Sequence, residues 1–443
     1  MIGKNGNRKA ILTAAAILPM IAVLIFFKEN SFFIDNTRWL RDRTGILSDL
    51  TYPTRTIPLG ISYYTFLLVS YVLDVSWGKI EPTKNPFKIV LFAGYFPQMT
   101  SGPFTRFADV KNELLGRGKF NYENLSFGAQ RFLWGLFKKL VLAERLAVIV
   151  ASVYGNTKLE GAYIFIGAVS YVLQLYTDFS GCMDIVIGAS QMFGIKLPEN
   201  FKTPFYSTSL SEFWRRWHIT LGVWLKDYVL YPTLKSRWLQ SVRAFCAKRL
   251  GKKAGKDIAT YIGMLITWFS IGFWHGGSWK YICSSGLFFF VMIVGGLLLE
   301  PGFKRLIKWL RINTGAWSWT LFSRMRTWIL FTLSVSFGRA ADLTDGFRMW
   351  RRAFKYNPWV MVDGSLYNLG LDAKDFWVMI FGLLILFIIS KMQYGTVEGV
   401  RYKLSQQNII FRWIVFLALF AAVLIFGMYG EHYDPADFIY GQF

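Results

Sequence analysis

Phe273-Trp274-His275-Gly276-Gly277-Ser278-Trp279 joins two long apolar runs, 257–274 and 281–299, and its reading decides the fold. A titratable imidazole between two segments of membrane length is costly to desolvate, so its default reading is functional. The two glycines permit close backbone approach, and the two tryptophans supply rigid walls. The chain has only three histidines in 443 residues, so few others compete for such a role. Packing is the bland alternative, and a Trp-His-Gly-Gly setting suits a tight cavity better than a packed core.

The composition is 53% hydrophobic and 17% charged, whereas soluble domains carry about 25% charged residues. That is an integral membrane protein. Apolar runs occur at 10–27, 58–77, 87–104, 127–154, 161–177, 179–195, 257–274, 281–299, 316–340, 374–390 and 409–430. Since about 20 residues cover the hydrocarbon core, they predict an all-α polytopic protein with roughly nine to eleven crossings. Runs interrupted by Pro, Gly or charge are expected to be re-entrant or interfacial. Segments this long do not fit the short alternating strands of an outer-membrane barrel. There is no repeat, and each polar stretch (28–57, 105–126, 196–216, 235–256, 341–373) is too short for a core of its own. A single membrane domain, 1–443, is expected.

The net charge of +23 does not call for nucleic acid. Much of it lies in the loops 235–256 and 304–311, which the excess of Lys and Arg in cytoplasmic loops places inside. They flank 257–299, so that pair should leave and re-enter one face, with His275 in the bilayer or toward its outer side. The basic loop 235–256 would attract anionic membrane lipid or an acidic carrier protein. At the N-terminus Lys4, Arg8 and Lys9 precede the 10–27 run, and no small-residue cleavage site follows before Lys28-Glu29-Asn30. A retained helix is expected, not a signal peptide. Three cysteines make no disulfide framework: Cys182 and Cys283 read as packing residues, and Cys246 as packing or an acylation site.

One polar loop stands out, from Thr203-Pro204-Phe205-Tyr206 to Trp214-Arg215-Arg216-Trp217-His218. Ser209 and Glu212 have capping-box spacing, so a helix should start there. Leu210, Trp214, Trp217, Leu221, Trp224 and Tyr228 recur at three- and four-residue steps, and Glu212 pairs with Arg216 on another face. Pro232 should end this interfacial or re-entrant helix just after Tyr231. His218 beside the aromatic stripe is either a satisfied packing residue or a second polar group for His275. His432, after the last apolar run, reads as a surface residue.

A neutral imidazole, with a reference pKa of about 6.5, can take a proton from a hydroxyl as its oxygen attacks an acyl carbon. No Cys or carboxylate stands at ligand spacing from these histidines, so no metal is expected. In Tyr176-Thr177-Asp178-Phe179-Ser180-Gly181-Cys182-Met183-Asp184, two carboxylates six apart in a membrane run line a cavity or pair with a base, or else form a structural ion pair or a helix-end anchor. Asp178, Ser180, Trp217 and Trp274 are the candidate lining residues. Phe96-Pro97-Gln98 interrupts another run, as a pathway lining or as an interfacial turn. The chain lacks a G-x-S-x-G elbow, a Walker A loop and a dinucleotide fingerprint, which leaves no case for a serine hydrolase, an ATPase or a Rossmann oxidoreductase.

These residues together resemble the membrane-bound O-acyltransferase family, and within it the bacterial alginate O-acetyltransferase branch. The likeness is carried by Leu59-Gly60-Ile61-Ser62-Tyr63-Tyr64-Thr65-Phe66, Phe96-Pro97-Gln98, Gly135-Leu136-Phe137-Lys138-Lys139, Tyr176-Thr177-Asp178-Phe179-Ser180-Gly181, Leu197-Pro198-Glu199-Asn200-Phe201, Phe213-Trp214-Arg215-Arg216-Trp217-His218, Trp274-His275-Gly276 and the terminal Phe438-Ile439-Tyr440-Gly441-Gln442-Phe443. Each is weak alone; their order along the chain is the signal. The resemblance implies a multi-helix body with a central tunnel in which a cytoplasmic thioester meets an acceptor. It makes His275 catalytic and His218 the second polar residue. Two departures matter. Members of that branch begin with further apolar helices ahead of the equivalent of 10–27, so a shortened gene product or a late start is expected. Tyr231-Pro232-Thr233-Leu234-Lys235 replaces a glycine-rich stretch, which leaves a cell-surface polymer other than alginate open.

The expected function is O-acyl transfer, acetyl first, from acetyl-CoA or an acyl carrier protein thioester toward a cell-surface polysaccharide, in a bacterial cell membrane. No tightly bound cofactor is expected. An extracytoplasmic protein should receive the acyl group, and a cytoplasmic carrier protein is a further expected partner. The alternatives are D-alanyl transfer toward teichoic acid, and a transporter or flippase of a lipid-linked glycan, although no paired halves are found.

Overall fold

A computed structural model describes residues 2–45, 57–116, 118–394 and 399–429. His432 and the 438–443 stretch lie outside the described residues. The fold is all-α and polytopic, and among the described residues no strand is found. Among the described residues, four helical segments are long and apolar enough to cross a membrane by length and composition: Arg8–Phe27, Trp279–Trp309, Ala373–Gln393 and Ile409–Phe426. The other expected runs also form helices, among them the 23-residue Lys252–Trp274 and Trp317–Arg339.

By contacts the chain divides into two compact units. The first comprises Met1–Thr100, Phe104–Leu115 and Thr220–Ile312. Its core is aromatic. Phe66 stacks on Trp224 at 4.1 Å, and the Trp224 indole N–H donates to the Phe66 carbonyl at 3.1 Å. Tyr63 stacks on Phe104 at 5.1 Å, and the Tyr228 hydroxyl donates to Asp74 at 2.7 Å. The run 87–104 is broken as its prolines require, into Pro86–Ala93 and a single turn, Phe96–Met99. Buried Gln98 compensates for lost backbone bonds by donating to the Phe92 carbonyl and accepting from the Thr105 hydroxyl.

In the same unit Lys252–Trp274 and Trp279–Trp309 form a hairpin that turns at His275. Its arms meet at glycine: a Cβ on Gly272 would lie 2.6 Å from the Ile282 Cα, and one on Gly286 2.5 Å from the Trp268 carbonyl oxygen. The basic stretch Arg237–Leu250 is a helix that precedes it. A cysteine introduced at Lys252 is expected to react with impermeant thiol reagents only after the membrane is opened, because basic loops stay inside. Labelling in intact cells would invert the orientation.

The second unit comprises Ser101–Pro103, Gly116–Ile219 and Asn313–Phe443. One correction falls here. The runs 161–177 and 179–195 are not two segments but one 31-residue helix, Ala162–Met192. No proline interrupts it, and the polar residues that suggested a break face inward to partners. It packs on Tyr122–Leu136 through a glycine seam. A Cβ on Gly135 would lie 2.6 Å from the Gly181 carbonyl oxygen, and one on Gly128 2.6 Å from that of Gly188. A wide π-turn, Phe137–Ala143, comes after Tyr122–Leu136 and carries Lys138 and Lys139, both buried. An apolar core of Leu146, Ile149, Val153, Ile164, Met349 and Met379 completes this unit.

A further correction concerns 209–231. The helix starts where expected, with Ser209 accepting from the Glu212 N–H at 3.2 Å, but Leu210–Trp214 lasts little more than one turn. The chain breaks at His218 and resumes as Ile219–Leu225. Pro232 does not end this second helical stretch. The π-turn Lys226–Leu230 comes first, with the Tyr231 N–H donating to the Lys226 carbonyl, and helix continues over Tyr231–Lys235. The wide turn opens the backbone where a proline ring would otherwise meet the carbonyl four residues back.

Candidate functional site

His275 and His218 belong to different units, the first and the second, and each has its own surroundings.

His275 caps the C-terminus of Lys252–Trp274, and its side chain is nearly enclosed at 8% exposure. The next two residues need glycine. Gly276 (φ +149°) would place a Cβ 2.8 Å from the Tyr281 ring, and Gly277 (φ +54°) would drive one into a Glu29 carboxylate oxygen. Trp274 has its ring 5.0 Å from the imidazole and within 6.0 Å of Phe66 and Phe104. Trp279 is not a wall: it is half-exposed, with its indole N–H on the Asn36 side-chain oxygen at 3.1 Å. Sequence reasoning missed the other side of this site. Lys28 and Glu29, read as a polar flank, are buried at 7% and 1% exposure. The Lys28 ammonium donates to the Trp274 carbonyl at 2.6 Å and sits over the Trp274 ring at 4.6 Å. The available signal was the Lys-Glu pair placed directly after a span.

His218 is also buried, and it is one of three non-glycine residues with positive φ, here +45°, among the described residues. Strained backbone of this kind persists only where its surroundings over-determine it, and it gathers at functional positions. Asn200 holds both ends of the bend. Its carbonyl accepts from the Ile219 N–H at 3.0 Å, and its side-chain amide meets His218 Nδ1 at 3.1 Å. Phe179 presents its ring perpendicular to the imidazole at 4.7 Å. Asn200 stands 18 residues from His218, beyond the reach of any local sequence pattern. Trp217 is packed among Phe201, Phe213 and Phe331, an aromatic core rather than an open wall. Nearby, burial pushes the Glu212 carboxyl up, but the Thr208 N–H and hydroxyl and Arg216 outweigh it and hold it below the usual carboxylate range.

Asp178 and Asp184 both pair with bases. Asp178 meets Lys139 at 2.8 Å, and Lys139 also meets Glu144 at 2.7 Å. Asp184 meets Lys138 at 2.7 Å and Arg131 at 2.8 Å, and Arg131 continues to Glu199 at 2.6 Å. Ser180 accepts from Lys138 at 2.9 Å. Of the readings open for these carboxylates, the structure displays the ion pairs. Among the described residues no group of three or more His, Cys, Asp or Glu is arranged to hold a metal ion.

Residues 82–247 match the family model described as MBOAT, membrane-bound O-acyltransferase family. The chain is 32% identical over 342 residues to the "Probable alginate O-acetylase AlgI" of Pseudomonas putida, covering 76% of this chain and 64% of that protein. It is 29% identical to the peptidoglycan O-acetyltransferase of Helicobacter pylori, over 62% of this chain and 53% of that one. It is 28% identical to the teichoic acid D-alanyltransferase of Bacillus subtilis, over 58% and 62% respectively. The chain thus spans less than two thirds of the length of each of these relatives.

Proposed function

Because the chain belongs to the membrane-bound O-acyltransferase family, we propose that it transfers an acyl group, acetyl first, from a cytoplasmic thioester toward a cell-surface polysaccharide at a bacterial cell membrane. The observation that carries this reading is His275, an imidazole nearly enclosed at the turn of a membrane hairpin. A neutral imidazole there takes the proton of an acceptor hydroxyl as the oxygen attacks the thioester carbonyl carbon. The tetrahedral intermediate then collapses, the carbon–sulfur bond breaks, and the imidazolium returns the proton to the departing thiolate. His218 is assigned the supporting role, fixed by Asn200 so that its ring has one orientation. Asp178, Ser180 and Trp217 act through the framework around it rather than on substrate.

Acetyl-CoA or an acyl carrier protein thioester would be the donor, and the basic helix Arg237–Leu250 suits a phosphate-bearing or acidic donor. A long glycan could hardly reach an imidazole at this depth. An extracytoplasmic protein, of the serine–histidine–aspartate esterase type, should therefore take over the acyl group. In liposomes with donor inside and polymer outside, the purified chain alone is expected to leave the polymer unmodified, and addition of that partner should start acetylation. Polymer acetylation by the chain alone at a physiological rate would remove the partner from the scheme. Thioester hydrolysis or transfer by the purified chain separates this reading from a glycan flippase, which should show neither. D-alanyl transfer is separated by offering both thioesters.

A further inference from the structure

The segment after the first membrane helix lies along the whole 273–279 turn. Lys28 holds the Trp274 carbonyl at 2.6 Å. Glu29 fills the space where a side chain on Gly277 would stand. Phe32 sets its ring 5.4 Å from that of Phe273 and 5.6 Å from that of Trp279, and Asn36 accepts from the Trp279 indole. Lys28 and Glu29 therefore bracket His275 from its two sides, one at the residue before it and one at the second residue after it.

Both side chains are too buried to be there by default. A lysine and a glutamate are almost never fully buried unless paired, and removing their water is expensive. Their mutual contact is long for an ion pair, 3.7 Å, so it offsets little of that cost. The ammonium is instead directed at a helix-end carbonyl, one of the last acceptors of Lys252–Trp274, where a cation is favoured. The carboxylate is set against a glycine. Nothing about a membrane helix end requires either.

We propose that Lys28 and Glu29 are positioning residues that clamp the Trp274–Gly277 turn and so fix the aim of the His275 ring. The clamp rests on His275 being the acyl-transfer base. Lys28 fixes the carbonyl immediately before His275, and Glu29 stops the glycine turn from closing or opening. Neither touches the reacting atoms.

Two readouts on the full-length protein in lipid test the clamp, the second independent of activity. Lys28→Met keeps the stem and removes the ammonium. Displacing a catalytic group by about 1 Å costs roughly a hundredfold in rate, so kcat is expected to fall by about ten- to a hundredfold, with the KM for the thioester within about twofold of wild type. Carbethoxylation of His275 by diethyl pyrocarbonate, followed peptide by peptide to separate it from His218 and His432, should speed up about fivefold as the turn loosens. Unchanged kcat overturns the proposal, whatever the labelling does. A KM rise at constant kcat does so too. Should Lys28→Met fail to reach the membrane, Glu29→Ala, which empties the space against Gly277, carries the same readouts and the same overturning results. If the wild-type protein turns over no thioester, the acyltransferase reading fails instead, and the labelling rates alone decide the clamp: equal rates in wild type and variant overturn it.

Discussion

Replacing His275 with alanine is expected to abolish acyl transfer while leaving the protein in the membrane at wild-type amount. Loss of a general base costs about 10²–10⁴-fold in rate, which corresponds to roughly 3–5 kcal/mol of transition-state stabilisation. The fold should tolerate the change, because the turn is held by glycine contacts and by the Lys28 bond to a backbone carbonyl, none of which needs the imidazole. Product formation per unit of folded protein is the measurement, and wild-type product from the alanine variant would end the assignment. His218→Ala should be impaired to a smaller degree. An inert His218→Ala that folds normally would return this residue to packing, with Asn200 as its structural partner.

The second large effect is on stability. Asp184→Ala should cost about 3–5 kcal/mol, because removing one partner of a buried ion pair leaves the other charge uncompensated. Arg131 would still have Glu199. Among the described residues, Lys138, at 3% exposure, would keep only the Ser180 hydroxyl as a hydrogen-bond partner. The sign of the effect is checked by the double variant Asp184→Ala/Lys138→Met, which should recover most of the loss, since no charge is then stranded. The thermal midpoint of the detergent-solubilised protein reads both. A double variant no better than the single one would place the damage in packing instead.

Legibility in the sequence depends on whether the determining forces are local. His275 was readable because a titratable residue between two apolar runs is costly wherever it ends up. The Ser209 start was readable because a cap is satisfied within three residues. Of the six residues of the expected apolar stripe, Leu210, Trp217, Leu221, Trp224 and Tyr228 are buried and Trp214 is partly buried, but the helix expected to carry them on one face is broken at His218. Hydrophobic period reports burial, and it does not see a bend that preserves burial. It is equally blind to a wide turn, which changes the register of the backbone and not the residues; hence the misplaced end at Pro232. The Lys28 contact with Trp274 spans 246 residues, and no pattern confined to a window can find it. The division of 161–177 from 179–195 failed for a related reason: Asp178 interrupts the apolar pattern, and the Lys139 that pairs with it lies far away in sequence.

The glycine seam between Tyr122–Leu136 and Ala162–Met192 bears on where this unit can move. Gly128 and Gly135 face Gly188 and Gly181, two rungs seven residues apart on each helix. At both rungs main chain lies against main chain, with the side chains of Met192 and Ile185 packed alongside. Sliding by a residue would drive Phe132 or Ile185 into the opposing backbone, so the pair has one register and acts as a keel. Hinge and shear motions need interfaces that can be rearranged by rotamer changes. Any breathing that admits a ligand to this unit must therefore run through helices that meet it by side chains, such as Ala373–Gln393, while the keel stays still.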